Sequence, residues 1–194
     1  MQFLKQDYKK RSDEELMAIV LNKNELAFGE LYCRYSKKMF SFFYRMLNCD
    51  KDKARDFLQD LFLKLIEKPE SFDSARKFSP WFYSLAANMC KNEYKKIKIR
   101  NEHSDSRTYY DISVNTNIYD ELDLKSFIGE LYLFLEDMDD DHRSAFLLRY
   151  GNNLSIKEIA EIQDCPEGTI KSRLYYTMKY LSERLNVYKP GGTD

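Results

Sequence analysis

The stretch that decides the fold of this chain is LSIKEIAEIQDCPEGTIKSRLYYTMKYLSERL, residues 154–185. Ser155 and Glu158 have the spacing of a capping box, which predicts that a helix begins there. The segment DCPEG, residues 164–168, then breaks the apolar periodicity, and Pro166 fits the first turn of a following helix. Two helices separated by a sharp turn are therefore expected.

The second of these helices carries one apolar stripe with polar residues outside it. The stripe repeats at intervals of four, four, three and four residues and comprises Ile170, Leu174, Met178, Leu181 and Leu185. Lys171, Ser172 and Arg173 lie off the stripe near the N-terminus of the helix. This layout is typical of a helix-turn-helix, whose second helix inserts its N-terminal residues into the DNA major groove. An ordinary helical hairpin has the same periodicity, so the pattern alone leaves both interpretations open.

The rest of the chain also predicts helices. With 6 Gly and 4 Pro in 194 residues, a strand-and-turn architecture is disfavoured. Apolar periodicity predicts helices near residues 13–20, 25–48, 51–68 and 80–98, fails over about 100–119, and returns from Leu122. Ser12 and Glu15 have the spacing of a second capping box, which predicts where the first of these helices begins. The predicted buried stripe of the third helix comprises Phe57, Leu58, Leu61, Phe62, Leu65 and Ile66. That of the fourth comprises Trp81, Leu85 and Met89.

Charge is distributed unevenly along the chain, although the formal net charge is −1. Residues 1–96 carry 19 basic and 14 acidic side chains, residues 97–142 carry 4 and 12, and residues 143–194 carry 8 and 6. Two mildly basic ends therefore flank an acidic middle.

Cysteine and histidine usage argues against a metal site. The 4 cysteines are far apart in sequence and only 2 histidines are present, so no metal or other cofactor is expected. The N-terminus lacks the apolar run of a signal peptide, and no stretch is long and apolar enough to insert into a membrane. The sequence predicts a soluble cytoplasmic protein.

Four segments, in order along the chain, resemble one protein family. LSIKEIAEIQDCPEGTIKSRL (154–174) resembles region 4.2 of an extracytoplasmic-function (ECF) sigma factor of the sigma-70 family of bacterial RNA polymerase. ELMAIVLNKNELAFGELYCRY (15–35) resembles the start of region 2, ARDFLQDLFLKLIE (54–67) its clamp-binding helix, and FSPWFYSLAANMCKNEYKK (78–96) its promoter-melting helix. Tyr175 and Tyr176 depart from the basic surface common after KSRL.

The resemblance implies an all-α protein of two small helical domains joined by a flexible linker. Region 2, a helical bundle, is expected at residues 1–98, an acidic and polar linker at 99–120, and region 4 with its helix-turn-helix at 121–194. The family's activity is to bind core RNA polymerase, direct it to specific promoters and help melt them. The implied partners are the β′ clamp helices and β flap of the polymerase, promoter DNA, and the anti-sigma factor typical of the family.

The third predicted helix has a polar face that the resemblance assigns to the polymerase clamp. Its members are Asp56, Gln59, Asp60 and Lys64. From the residues alone, a solvated charged face is the more common outcome.

Two further surfaces are expected to contact promoter DNA. For the minus-10 element the candidates are Phe72, Asp73, Ser74, Arg76, Lys77, Tyr83, Asn88, Lys91, Asn92, Tyr94 and Lys95, because aromatics interleaved with lysines suit unpaired strands. The loop 72–77 among them resembles the family's element that captures an extruded base. For the minus-35 element the candidates are Glu167, Thr169, Lys171, Ser172, Arg173 and Tyr176.

Three other classes of function compete with this interpretation. A stand-alone helix-turn-helix regulator would bind DNA without acting as a polymerase subunit, but it needs a sensing or dimerising domain that residues 1–96 do not resemble. An enzyme is disfavoured because the sequence has no Gly-rich phosphate loop, nucleophile elbow or metal cluster. A degenerate sigma homologue that only titrates a regulator is the remaining alternative, and promoter-dependent transcription distinguishes it.

Overall fold

Helices form all the regular structure of the described residues, 8–102 and 122–185 of the computed structural model. The α-helices are α1 (Asp13–Val20), α2 (Glu25–Met46), α3 (Lys51–Glu67), α4 (Phe78–Glu102), α5 (Leu122–Glu136), α6 (Asp140–Phe146), α7 (Ile156–Gln163) and α8 (Glu167–Arg184). Short 3-10 turns lie at Tyr8–Lys10 and Pro69–Ser71, and a π-helical turn lies at Leu147–Gly151. The all-α prediction is confirmed.

Local capping chemistry sets where these helices begin. The predicted capping boxes are present at Ser12 with Glu15 and at Ser155 with Glu158, where each side chain bonds the other residue's backbone N–H. Asparagine or aspartate side chains cap three other helices, namely Asn24 for α2, Asp50 for α3 and Asp139 for α6.

The described residues fall into two compact units that divide between Cys90 and Lys91. Because α4 runs without a break to Glu102, the predicted domain boundary at residue 98 lies inside this helix. Most of the predicted acidic linker, residues 103–120, lies outside the described residues. The predicted domain limits therefore stay a prediction.

An aromatic core holds the first unit together. Phe82 lies at its centre, with ring centroids 5.1 Å from Phe78, 5.5 Å from Tyr35 and 5.4 Å from Phe62. These rings come from α2, α3 and α4, so one cluster fixes the three helices that carry the predicted polymerase and minus-10 residues. A carboxylate adds a polar link, because Glu14 of α1 accepts a hydrogen bond of 2.9 Å from the backbone N–H of Phe78 at the start of α4.

The buried face of α4 differs from the predicted one. Trp81, Leu85 and Met89 are only half-buried. Among the described side chains of α4, the fully buried ones instead include Phe78, Phe82, Tyr83, Ala86 and Cys90. Two residues of the other predicted buried stripes are also exposed. Ile66 on α3 is 51% exposed and Met178 on α8 is 44% exposed.

In the second unit, α6, α7 and α8 pack around an aliphatic core. Its fully buried members include Leu148, Ile159 and Ile170. The backbone N–H of Leu154 donates to the carbonyl of Leu148, which holds the segment before α7 against the π-helical turn. Thr177 takes the buried place predicted for Met178, and its hydroxyl donates to the Arg173 carbonyl at 2.8 Å, so that its polar atom is satisfied.

None of the helices in the described residues combines the length and apolar character required to span a bilayer.

Candidate nucleic-acid interface

The turn between α7 and α8 is sharp because one residue adopts a left-handed conformation. Asp164 has φ 48° and ψ 54°, which a short polar side chain tolerates better than most residues. Pro166 follows in an extended conformation as the N-cap of α8, rather than inside its first turn as predicted. Its carbonyl accepts from the backbone N–H groups of Thr169 and Ile170. This geometry is a helix-turn-helix.

The N-terminal half of α8 presents most of the predicted minus-35 residues to solvent. Glu167, Lys171, Ser172 and Tyr176 are exposed, and Thr169 is half-buried. The Ser172 hydroxyl donates to the Gly168 carbonyl at 3.1 Å. Tyr175 and Tyr176 are 65% and 59% exposed and contact each other edge to face, so aromatic surface continues the polar face.

Arg173 is the exception on this helix, because its guanidinium points away from the exposed face. Nη2 donates to Asp141 Oδ2 at 2.6 Å and Nη1 donates to Gln163 Oε1 at 2.6 Å. Nη1 also lies 3.6 Å from Cys165 Sγ, and only 18% of the side chain is exposed. The prediction that Arg173 reaches the minus-35 element therefore requires correction. Sequence spacing gave no sign of this contact, since Asp141 lies 32 residues earlier.

The four predicted docking residues of α3 share an exposed face. Asp56, Gln59, Asp60 and Lys64 are all exposed. Sequence reasoning missed that Leu63 and Ile66 continue this face with 43% and 51% of their surface exposed. The available signal was spacing, because Leu63 follows Gln59 by four residues and Asp60 by three, and Ile66 follows Leu63 by three.

An apolar groove of about 420 Å³ borders the α3 face. Phe28 and Tyr32 of α2 form one side, and Leu58, Phe62, Leu63 and Ile66 of α3 form the other. A polar and an apolar surface thus lie side by side, a combination that suits a helical protein partner.

The loop before α4 presents a polar surface but not an aromatic one. Asp73, Ser74, Arg76 and Lys77 are exposed, and Asp73 Oδ1 accepts from the backbone N–H of Ala75 at 2.9 Å. Phe72 is only 7% exposed, and its ring packs 5.5 Å from Phe78 and 5.0 Å from Trp81. The expectation that Phe72 presents its ring to DNA is thus corrected.

Tyr83 needs the same correction. The side chain is 1% exposed and packs edge to face on Phe42, and burial raises the pKa of its phenol. The residue type of Tyr83 suits base stacking, whereas the structure shows that this side chain faces the aromatic core.

Four polar residues of α4 share an exposed face, at spacings of three and four residues. They are Asn88, Lys91, Asn92 and Lys95. Tyr94 is half-buried, with its ring centroid 5.3 Å from the Arg143 guanidinium carbon. Lys91 Nζ lies 3.9 Å from Asp141 Oδ1 but remains 54% exposed. Within residues 8–102 and 122–185, no group of three or more His, Cys, Asp or Glu side chains is placed to hold a metal ion.

Known proteins share these two units. The family model for Sigma-70 region 2 matches residues 31–99, and that for Sigma-70 region 4 matches residues 128–181. The ECF RNA polymerase sigma factor SigW of Bacillus subtilis (strain 168) is 30% identical over 170 residues, which cover 82% of this chain and 89% of SigW. The chain belongs to the ECF sigma factor family. The family membership predicted from the sequence motifs is confirmed.

Other relatives of this sigma factor support the same family assignment. The ECF RNA polymerase sigma-E factor of Haemophilus influenzae (strain ATCC 51907 / DSM 11121 / KW20 / Rd) is 27% identical over 182 residues, covering 90% of this chain and 95% of the relative. The sigma factor RpoE, solved in complex with the anti-sigma factor NepR from Bartonella quintana, matches with a TM-score of 0.70 and 25% identity, covering 84% of this chain and 98% of RpoE. As a sigma factor the chain acts in transcription initiation, and a stand-alone regulator is not favoured.

The family matches include all three candidate surfaces of this ECF sigma factor. The region 2 match contains the exposed faces of α3 and α4, and the region 4 match contains the helix-turn-helix. Each surface therefore lies within a matched region, and its role stays a prediction.

Proposed function

We propose that this ECF sigma factor binds core RNA polymerase through α3, contacts the minus-10 element through α4 and its preceding loop, and contacts the minus-35 element through α8. The observation that carries the proposal is that each of these helices buries an apolar face while exposing most of its predicted polar residues. The chain has no catalytic activity of its own and works in the cytoplasm, where the polymerase is.

Docking on the β′ clamp helices uses both kinds of surface on α3. Asp56 and Asp60 supply carboxylates to a basic partner, and Gln59 supplies an amide. Exposed charges alone contribute little to affinity, since surface ion pairs are worth roughly 0–1 kcal/mol. The adjacent Leu63 and Ile66 supply the apolar area that an interface core requires.

Strand opening uses the loop at Asp73–Lys77 and the polar face of α4. Arg76 and Lys77 attract the phosphate backbone, and Asn88 and Asn92 offer amides that hydrogen-bond to base edges. Lys91 and Lys95 extend the positive charge along the same helix. With Phe72 and Tyr83 in the core, unpaired bases are held here through polar contacts.

Duplex recognition uses α8. The positive end of the helix and Lys171 favour phosphate, while Glu167 and Ser172 face base edges. Region 4 also contacts the polymerase β flap. The exposed Tyr175 and Tyr176 add apolar contact where many family members carry basic residues.

An anti-sigma factor is the expected regulatory partner. The RpoE relative was solved with the anti-sigma factor NepR. We infer that such a protein would cover the polymerase-binding and DNA-binding faces of this chain, because blocking both prevents assembly at promoters.

Transcription reconstituted with bacterial core enzyme on a genomic fragment library tests the proposal. We expect initiation at discrete sites that define both promoter elements. Asp60→Lys should weaken binding to core polymerase by at least about tenfold, because like charges brought together at an interface cost several kcal/mol. The matched control is Glu70→Lys, which reverses an exposed charge beyond the end of α3. Failure of the wild-type chain to associate with core polymerase would refute the function.

A further inference from the structure

We infer that Arg173 is a positioning residue that fixes the recognition helix through Asp141 and Gln163, and that Lys171 is the cation of the first two turns of α8 that contacts DNA. The inference rests on the proposed function for its DNA readout. It assigns to Asp141 and Gln163 a part in promoter recognition that their own positions, on α6 and α7, would not indicate.

Three hydrogen bonds close a ring between three helices. Arg173 Nη2 donates to the Asp141 carboxylate, and Arg173 Nη1 donates to the Gln163 side-chain oxygen. The Gln163 side-chain nitrogen in turn donates to the Asp141 backbone carbonyl at 2.9 Å. The start of α6, the end of α7 and the second turn of α8 are therefore tied together at one point.

Charge and burial make this ring a strong constraint. The Arg173 side chain is 18% exposed, whereas that of Asp141 is 41% exposed. Hydrogen bonds between ionised partners are roughly twice as strong as neutral ones. Turning the guanidinium out to a phosphate would leave Gln163 and the Asp141 carboxylate without their donor. Direct DNA contact by Arg173 thus competes with a contact already formed.

The ring lies where it controls the angle of α8. The α7–α8 turn depends on the left-handed Asp164, and the N-cap of α8 at Pro166 has no side-chain hydrogen bond. The first turn of α8 is accordingly held by the buried Ile170 and not by a side-chain cap. Arg173, one and a half turns into the helix, provides an anchor between that end and the buried Thr177.

A salt titration of promoter binding separates positioning from direct contact. Holoenzymes carrying wild type, Asp141→Asn, Arg173→Gln and the double variant are compared on one promoter fragment. We expect each to lose about tenfold in affinity, with the double variant no worse than either single one, because the two residues share one interaction. The dependence of log affinity on log salt should keep its slope, whereas Lys171→Gln should reduce it by about 0.9.

Two further measurements complete the test. Asp140→Asn is the matched control, since it removes a neighbouring carboxylate of α6 that does not bond Arg173. It should leave promoter affinity unchanged. In the free chain, Asp141→Asn and Arg173→Gln should both speed amide hydrogen exchange over residues 164–171, while thermal unfolding confirms that the variants fold.

Opposite results would overturn the inference. One is a reduced salt slope for Arg173→Gln together with wild-type promoter affinity for Asp141→Asn. The others are additive affinity losses in the double variant, and wild-type amide hydrogen exchange at the α7–α8 turn in the single variants. If the wild-type chain fails to initiate transcription, the proposed function fails. The exchange measurement on the free chain still decides whether Arg173 positions α8.

Discussion

The carboxylate of Glu14 links the first helix of this sigma factor to the fourth. It accepts the backbone N–H of Phe78, which has no partner within its own helix because it lies in the first turn of α4. Burial raises the pKa of Glu14. Hydrogen bonds from the Phe78 backbone, the Glu14 backbone and the Ser12 side chain outweigh that effect, so the net pKa is lowered. The ionised form is therefore the stabilising one.

Replacing this residue should destabilise region 2 in a pH-dependent way. Glu14→Ala should cost about 1 kcal/mol, as for the loss of a helix cap. Because the folded pKa is lowered, the contribution of the charge is present above the unfolded value of 4.5 and is lost as pH falls through the folded pKa. Glu14→Gln keeps an acceptor but removes that pH dependence. Urea unfolding at pH 7 and below pH 4.5 measures both effects.

The control is Glu161→Gln, which removes an exposed carboxylate from α7. It should leave the unfolding free energy within about 0.5 kcal/mol of wild type at each pH. Equal stability of Glu14→Ala and wild type at pH 7 would contradict the capping role.

At the scale of the element, sequence predicts where helices begin better than which way they face. The capping boxes at Ser12 and Ser155 are local, since all their atoms lie within four residues, and both were found as predicted. The prediction of the buried face of α4 was wrong because Trp81 and Leu85 compete with Phe82 for the core at the apolar start of this helix. Packing against α2 and α3 decides which of them is buried.

The same distinction applies to the candidate site. The polar part of the exposed face of α3 could be predicted because period and polarity agree there, whereas the exposure of Leu63 and Ile66 could not. The inward course of Arg173 could not, because its partner Asp141 lies on another helix and only the tertiary fold brings them together.

The exposed apolar residues of the α3 face are predicted to contribute to polymerase binding but not to folding stability. Leu63→Gln and Ile66→Gln should each weaken association with core polymerase by about five- to tenfold, since each removes roughly 1 kcal/mol or more of apolar burial at the interface. Because both side chains are already exposed and Gln is a good helix former, the melting temperature should stay close to wild type. Affinity for core enzyme and thermal unfolding are measured in parallel.

Leu26→Gln makes the same exchange at a residue of α2 that is 68% exposed and lies off the α3 face, so it should leave polymerase affinity unchanged. Equal effects of Leu26→Gln and Leu63→Gln would show that general surface polarity, and not the α3 face, controls binding.

At the scale of the whole molecule, the charge distribution limits how tightly the free chain binds DNA. The net charge is −1, and the exposed N-terminal half of α8 relies on Lys171 because Arg173 is engaged internally. Phosphate neutralisation supplies most non-specific affinity for duplex DNA, and few phosphates are neutralised here. Binding at promoters must therefore draw on the polymerase and on two weak DNA sites acting at high effective concentration.

We accordingly expect the isolated chain to bind a promoter duplex no more tightly than about 1 μM at physiological salt, the range of non-specific binding. The holoenzyme should bind the same fragment at least about a hundredfold more tightly, because the second site engages intramolecularly once the first is bound. Fluorescence anisotropy with chain alone, core enzyme alone and holoenzyme measures this, with a scrambled fragment as control. Nanomolar, sequence-specific binding by the isolated chain would contradict the expectation, since α8 would then supply by itself the affinity assigned to the assembly.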